Sequence, residues 1–215
     1  MPKPIRRTLV LAALLATLLP AACSVLPKRE PIQVFALTPS PVDVGAGWPA
    51  VTWSLLVGKP GASQQLDTER IAVRPGAGAV QVYQGASWAD PATELVQTAL
   101  VRGFEDSGKI LAVARPGTGT RGDYSLQSEL RSFTAVYDGE RPQAVVELYV
   151  RLVRTVDGRV VAAQLFRDVE PAAGEDVGQV VDAFSRALDR SRDRVIGWTL
   201  AQGQSHAGAL DAASR

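Results

Sequence analysis

The chain contains one cysteine and one histidine in 215 residues. A single cysteine leaves no partner for an intramolecular disulfide, so the folded part must be held by its core rather than by cross-links. A single histidine, His206, leaves Cys/His zinc sites and Ser/His or Cys/His nucleophile pairs without a second member. Gly61-Ala62-Ser63 and Gly85-Ala86-Ser87 lack the closing glycine of a nucleophile elbow, because Gln65 and Ala89 stand in its place. Gly76 with Gly78, and Gly117 with Gly119, lack the rest of a Walker or dinucleotide loop and read as turns. Adjacent acids such as Glu105 with Asp106, or Glu175 with Asp176, project in different directions from a helix and suit solvent better than shared acid–base work. No catalytic residue, metal ligand or cofactor site is assigned, and the chain is not expected to be an enzyme.

A charge excess of one sign is also missing, with 23 Lys plus Arg against 22 Asp plus Glu. The basic residues are interleaved with acids, whereas a nucleic-acid partner needs a wide basic stripe, so no nucleic acid is expected. Nor is there an apolar run of the roughly 20 residues that span a bilayer as a helix. The apolar opening run is the twelve residues 8–19, preceded by Lys3, Arg6 and Arg7 and closed by Pro20. A positive start followed by a short apolar run is a signal peptide.

Ala21 and Ala22 then precede Cys23. This order resembles a bacterial lipoprotein processing site, although Pro20 stands where such precursors usually carry Leu, with Leu19 one place earlier. The resemblance implies a diacylglyceryl group (with an acyl chain such as palmitate) on the Cys23 thiol and cleavage before it. Ser24 follows rather than Asp, and in similar lipoproteins Asp favours retention in the inner membrane. The expected location is therefore the periplasmic face of the outer membrane of a Gram-negative bacterium, held by the covalent lipid. Removing residues 1–22 takes away three positive charges and no acid, leaving 20 basic against 22 acidic residues and a formal charge of −2.

Residues 23–31 read as the lipidated cysteine and a short tether, because two prolines and three charged residues leave little to bury. Residues 32–203 read as a single α+β domain, and 204–215 as a flexible tail of small residues. Strands are predicted at 32–37 and 51–58, with a hairpin in which Ile71 and Val73 face Val80 and Val82 across a Pro/Gly turn. A helix follows Trp88, with Asp90 as its cap and Pro91 in its first turn. Its apolar face is Ala92, Leu95, Val96, Ala99, Leu100 and Phe104, and Gly108 ends it. Residues 110–114 form a short apolar strand. Long alternating segments after Asp123, punctuated by Asp138-Gly139 and Asp157-Gly158, predict an antiparallel meander. The apolar positions change parity near Ser132, which calls for a bulge. A last helix from Gly174 or Glu175 carries Val177, Val180, Val181, Phe184, Leu188, Val195 and Trp198, with the charged run 189–194 as its solvated face. The fold class is α+β, two main helices on a mainly antiparallel sheet.

The stretch Glu69-Arg70-Ile71-Ala72-Val73-Arg74, then Val82-Tyr83, then Ala86-Ser87-Trp88-Ala89-Asp90-Pro91, resembles the ABC-type transport auxiliary lipoproteins, the PqiC-like family. Leu95, Val96, Leu100, Phe104 and the strand at 110–113 continue the likeness. It implies a non-enzymatic accessory subunit of an ABC-type intermembrane lipid transporter that supports envelope integrity. The other parts would be an ATPase, a permease and a periplasmic MCE-domain protein, the last being the implied direct partner. The alternative is a stand-alone lipid-binding or outer-membrane assembly factor. Transport conduits are often ringed by identical subunits, so a homo-oligomer is compatible with this role. For a partner interface the candidates are Tyr83 and Trp88, which join apolar area to a polar handle, and Arg70 and Arg74, which can meet acidic groups. Trp48 and Trp53 share the aromatic argument, and for Trp88 a core position is the competing assignment.

Cys23→Ser is expected to move the full-length protein from the membrane to the soluble fraction of a fractionated envelope, whereas continued sedimentation with membranes would overturn the lipid anchor.

Overall fold

Among the described residues, which are 31–76, 78–139 and 141–213 of the computed structural model, the chain order is nine strands and two helices. These are β1 (Gln33–Phe35), β2 (Val51–Val57), β3 (Gly61–Ala62), β4 (Arg70–Arg74), β5 (Gln81–Trp88), α1 (Ala92–Ser107), β6 (Ile110–Ala114), β7 (Tyr124–Asp138), β8 (Arg141–Arg154), β9 (Val160–Pro171) and α2 (Val177–Ala213). The signal peptide over 1–22, Cys23 and the tether as far as residue 30 lie outside the described residues.

The alternating residues after Asp123 build the scaffold. β7, β8 and β9 form the expected antiparallel meander, with Leu126↔Leu152, Leu130↔Leu148 and Leu148↔Phe166 in register. The ladder of β7 slips between Leu130 and Ser132, where the change of parity demanded a bulge. Leu126 and Leu130 before it, and Phe133 and Ala135 after it, are all buried. The sheet is mixed, and its parallel part was not foreseen. β2 and β3 pair with the first half of β7 and β4 with its second half, all parallel. β6 runs parallel to β2 at one edge, and β1 parallel to β5 at another. Antiparallel pairing still dominates, because the long ladders are those of the meander.

The hairpin of β4 and β5 forms, with Ala72↔Val82 and Val73↔Gln81 in place of the expected partners of Ile71 and Val73. β5 also runs on to Trp88, well past the Val80 and Val82 of the expected hairpin. This drops the indole into the core, 1% exposed. Its ring centroid is 5.5 Å from Phe133 and 5.3 Å from Phe184, and these two phenyl rings stack at 4.7 Å. One residue each from hairpin, meander and last helix thus meet at a single point, in the tilted and edge-on geometries that aromatic quadrupoles favour.

α1 begins one residue later than the sequence suggests. Pro91 is its N-cap, with extended backbone, and no side chain caps the helix, so Asp90 does not play that part. The loop before β4 helps instead: the Ala92 N–H donates to the Thr68 carbonyl at 3.3 Å, and Thr93 Oγ1 donates to Asp67 Oδ1 at 2.5 Å. Gly108 ends α1 in the left-handed region at φ 60°.

α2 covers β8 and β9 and packs against α1. It starts at Val177, later than expected, and continues to Ala213, through the stretch read as a flexible tail. The extension has contacts to hold it, since Ala207 packs on the core and the Tyr124 hydroxyl and His206 Nδ1 lie 2.9 Å apart. Burial pushes the Tyr124 phenol above its ordinary pKa. His206 is accordingly a structural partner of β7.

Trp88→Ala is expected to cost about 3–5 kcal/mol of stability, the range for emptying a large aromatic site in a core. Denaturant unfolding of the two proteins checks this, and a loss under 1 kcal/mol would show that the three-ring contact is not a keystone.

Candidate partner interface

The four interface candidates lie on β4 and β5, but the structure divides them. Arg70 and Arg74 start and end β4 and are exposed, while Ile71, Ala72 and Val73 between them are buried. Arg70 shares a shallow cleft with Ile32, Val82 and Tyr83. Tyr83 is half-buried against the core. Burial raises its phenol pKa well above the ordinary value, and the neighbouring Tyr137 hydroxyl adds to the effect. Trp88 lies beneath this surface in the three-ring cluster, so the core assignment holds and it offers no surface to a partner. Trp53 is likewise buried, edge-on to Tyr124 at 5.0 Å. Trp48 is half-buried and packed on the core.

A second constellation was missed by the sequence. Residues 189–194 read as a solvated charged face, yet Ser191 is buried and Arg192 is only 3% exposed. Ser185, Asp189, Arg192 and Asp193 recur at positions i, i+4, i+7 and i+8, so they line one face of α2. That face grips the arm between β1 and β2. The backbone N–H groups of Thr38, Ser40 and Asp43 donate to Ser185 Oγ, Asp189 Oδ2 and Asp193 Oδ2 at 3.2, 2.8 and 3.2 Å. In return the Arg192 guanidinium donates to the carbonyls of Ser40 and Pro41 at 3.1 and 3.4 Å. It also pairs with Asp189 and Asp193, each at 2.8 Å. Gly103 of α1 makes room for the arginine stem, since a Cβ there would meet Arg192 Cδ at 2.6 Å.

Beneath the arm lies a cleft of about 400 Å³, with Leu37, Leu95, Ala99 and Leu188 among its walls and Arg102 among its polar lining. On the sheet side of α2, Glu170 of β9 holds Arg186 at 2.8 Å and also pairs with Arg190. Burial alone would raise the Glu170 pKa, but hydrogen bonds from the two guanidiniums outweigh it and hold the carboxyl below its ordinary value. Among the described residues no group of three or more His, Cys, Asp or Glu side chains is placed to hold a metal ion.

A sequence model of the family described as ABC-type transport auxiliary lipoprotein component matches residues 35–195. The chain belongs to this family. The matched span runs from β1 into the second half of α2, and so takes in the three-ring cluster and the Arg192 grip. The family description is that of a lipoprotein serving ABC-type transport as an auxiliary component. It is 42% identical to the Xanthomonas campestris protein XCC0632, whose crystal structure matches with a TM-score of 0.78 over 82% of this chain and 99% of that one. The crystal structure of a second, uncharacterized protein shares the fold at 14% identity, with a TM-score of 0.62 over 78% of this chain and 97% of its own. An uncharacterized protein of Bradyrhizobium diazoefficiens is 30% identical over 161 residues, which make up 75% of this chain and 43% of that protein. The auxiliary lipoprotein thus spans less than half the length of this curated relative.

Arg192→Ala is expected to destabilise the protein by about 3–5 kcal/mol, because it leaves the carboxylates of Asp189 and Asp193 uncompensated under the arm. Arg192→Lys keeps the charge but not the forked reach to two carbonyls, and should fall between the two in denaturant unfolding. A neutral Arg192→Ala would show that the arm is held by its apolar contacts alone.

Proposed function

We propose that this chain is a non-enzymatic accessory subunit of an MCE-linked ABC-type intermembrane lipid transporter, anchored through a lipid on Cys23 to the periplasmic face of the outer membrane. The observation that carries this reading is membership of the auxiliary lipoprotein family over residues 35–195, in a chain whose first 23 residues have the order of a lipoprotein precursor. Ser24 after the cysteine supports the outer membrane rather than the inner. Two or more acyl chains on Cys23 would hold it stably, since each buried methylene contributes about 0.8 kcal/mol. The non-enzymatic part of the reading is supported by the residue inventory: the single histidine is engaged by Tyr124, and the single cysteine is the lipid site. The partner implied is the periplasmic MCE-domain protein.

The cleft beneath the arm, apolar on several walls, favours a second reading as a stand-alone periplasmic lipid-binding or outer-membrane assembly factor. One experiment separates the two. Affinity recovery of the full-length protein from mildly solubilised envelopes, followed by mass spectrometry of proteins and lipids, is expected to bring down an MCE-domain protein. Bound lipid without such a partner would overturn the transporter role in favour of the second reading. A parallel Cys23→Ser sample is expected to lose the partner if anchoring is needed for assembly.

A further inference from the structure

Exposed aliphatic side chains gather where the described chain begins. Ile32 and Val34 are 65% and 61% exposed, and Val80, just before β5 at the Arg74 end of the hairpin, is 42% exposed. Ile32 and Val34 alternate along one face, while Phe35 turns to the core. One shallow cleft is lined by Ile32, Arg70 and Val82, and a second by Arg70, Val82 and Val80, so shared residues join them into one patch. Arg74 is exposed at the far end of the strand that Arg70 begins, and neither arginine makes an ion pair among the described residues. Glu69 lines the same cleft as Arg70. β1 pairs with β5 along one edge, and its other edge has no strand partner among the described residues. An open edge strand with large aliphatic side chains attracts unwanted pairing unless something covers it.

We infer that this patch rests on the lipid surface to which the chain is anchored, with Ile32, Val34 and Val80 in the headgroup layer and Arg70 and Arg74 against lipid phosphates. The inference rests on the lipidation of Cys23 proposed above, and adds an orientation to it. Chain length supplies the first argument. From Cys23 to Ile32 the chain spans at most about 30 Å even when fully extended. Phe184 of α2 packs beside Trp88, which is in register with Phe35 of β1, whereas His206 meets Tyr124. Those 22 residues of helix measure about 33 Å at 1.5 Å per residue. Another exposed apolar site, with Val156 at 77% and Leu210 at 37%, lies at the His206 level and shares a cleft with Tyr124. The tether therefore holds the β1 edge close to the bilayer and leaves the Val156 end at or beyond its reach.

The second argument is the chemistry of the patch. Interfacial binding combines buried apolar area with attraction between basic groups and anionic lipid, and arginine can lay its stem on the apolar layer while its head meets phosphate. The patch is too small to hold a protein on a membrane alone. An anchor nine residues away raises its effective concentration at the surface, so weak contacts suffice to orient the domain. This moves Arg70 and Arg74 from a protein partner to the bilayer.

The single native cysteine makes the test direct, because its sulfur is consumed by the lipid and a new cysteine is then the only reactive thiol. Full-length lipidated Val34→Cys, Val80→Cys and Val156→Cys variants, labelled with an environment-sensitive fluorophore, are reconstituted into phosphatidylethanolamine/phosphatidylglycerol vesicles containing headgroup spin-labelled lipid. Quenching at 34 and 80 is expected to exceed that at 156 several-fold. Arg70→Glu with Arg74→Glu should reduce quenching at 34 while flotation with the vesicles persists, and added salt should act in the same direction. Flotation with equal quenching at 34 and 156 would overturn the orientation and leave the anchor standing. Failure of the lipidated protein to float would overturn both. Unchanged quenching in the double arginine variant, together with loss of a co-purifying transporter protein, would return the patch to a protein partner.

Discussion

The architecture depends on the slip in register between Leu130 and Ser132 of β7. A strand shows alternate residues to alternate faces, so a single-residue shift inverts every side chain beyond it. β7 is shared along its length, with β2 and β3 on its first half, β4 on its second and β8 throughout. The bulge lets Leu126 and Leu130 share a buried side with Phe133 and Ala135, although their parity differs. Without it Phe133 would leave the ring cluster, and the hairpin would lose the contact through which Trp88 meets α2.

α2 works on two sides. Toward the sheet it supplies Val180, Phe184, Leu188, Val195 and Leu200 to the core and pairs Arg186 and Arg190 with Glu170. Toward the arm it offers a polar ladder whose partners are backbone groups rather than side chains. Backbone recognition of this kind holds an irregular segment in one path without regular secondary structure, because its N–H and C=O groups are satisfied in place. Burying Arg192 is tolerable only because two carboxylates and two carbonyls surround the guanidinium. The arm leads from β1 to β2, so the grip ties the edge where the domain chain begins to the long helix that crosses the fold.

On the proposed reading the domain is an adaptor with two ends. The β1 edge is oriented by lipid and tether, and the end carrying Val156, Leu210 and Arg121 is left free for components of the transporter. No chemistry beyond contact is demanded of it. That accords with a chain that has one histidine, one cysteine and charges of both signs spread along its length.

Features that depend on neighbours along the chain were legible from the residues. The alternating meander, its bulge, the apolar stripe of α1 and the glycine that ends it all follow from periodicity or local backbone freedom, as does the lipoprotein start as a motif. Tertiary packing decided the rest. Parallel pairing of β2, β3, β4 and β6 leaves little local signal, because it joins segments far apart in sequence. Asp90 gave way to the backbone carbonyl of Thr68, a remote acceptor that no capping pattern records. Residues 204–213 stayed helical because Tyr124 and the core lay beneath them, whereas their composition of small residues suggested a tail. Arg192 shows the limit most clearly: a charged run on a helix is solvated by default, and only the arm folded across it, with backbone carbonyls presented to the guanidinium, turns that arginine into an interior residue.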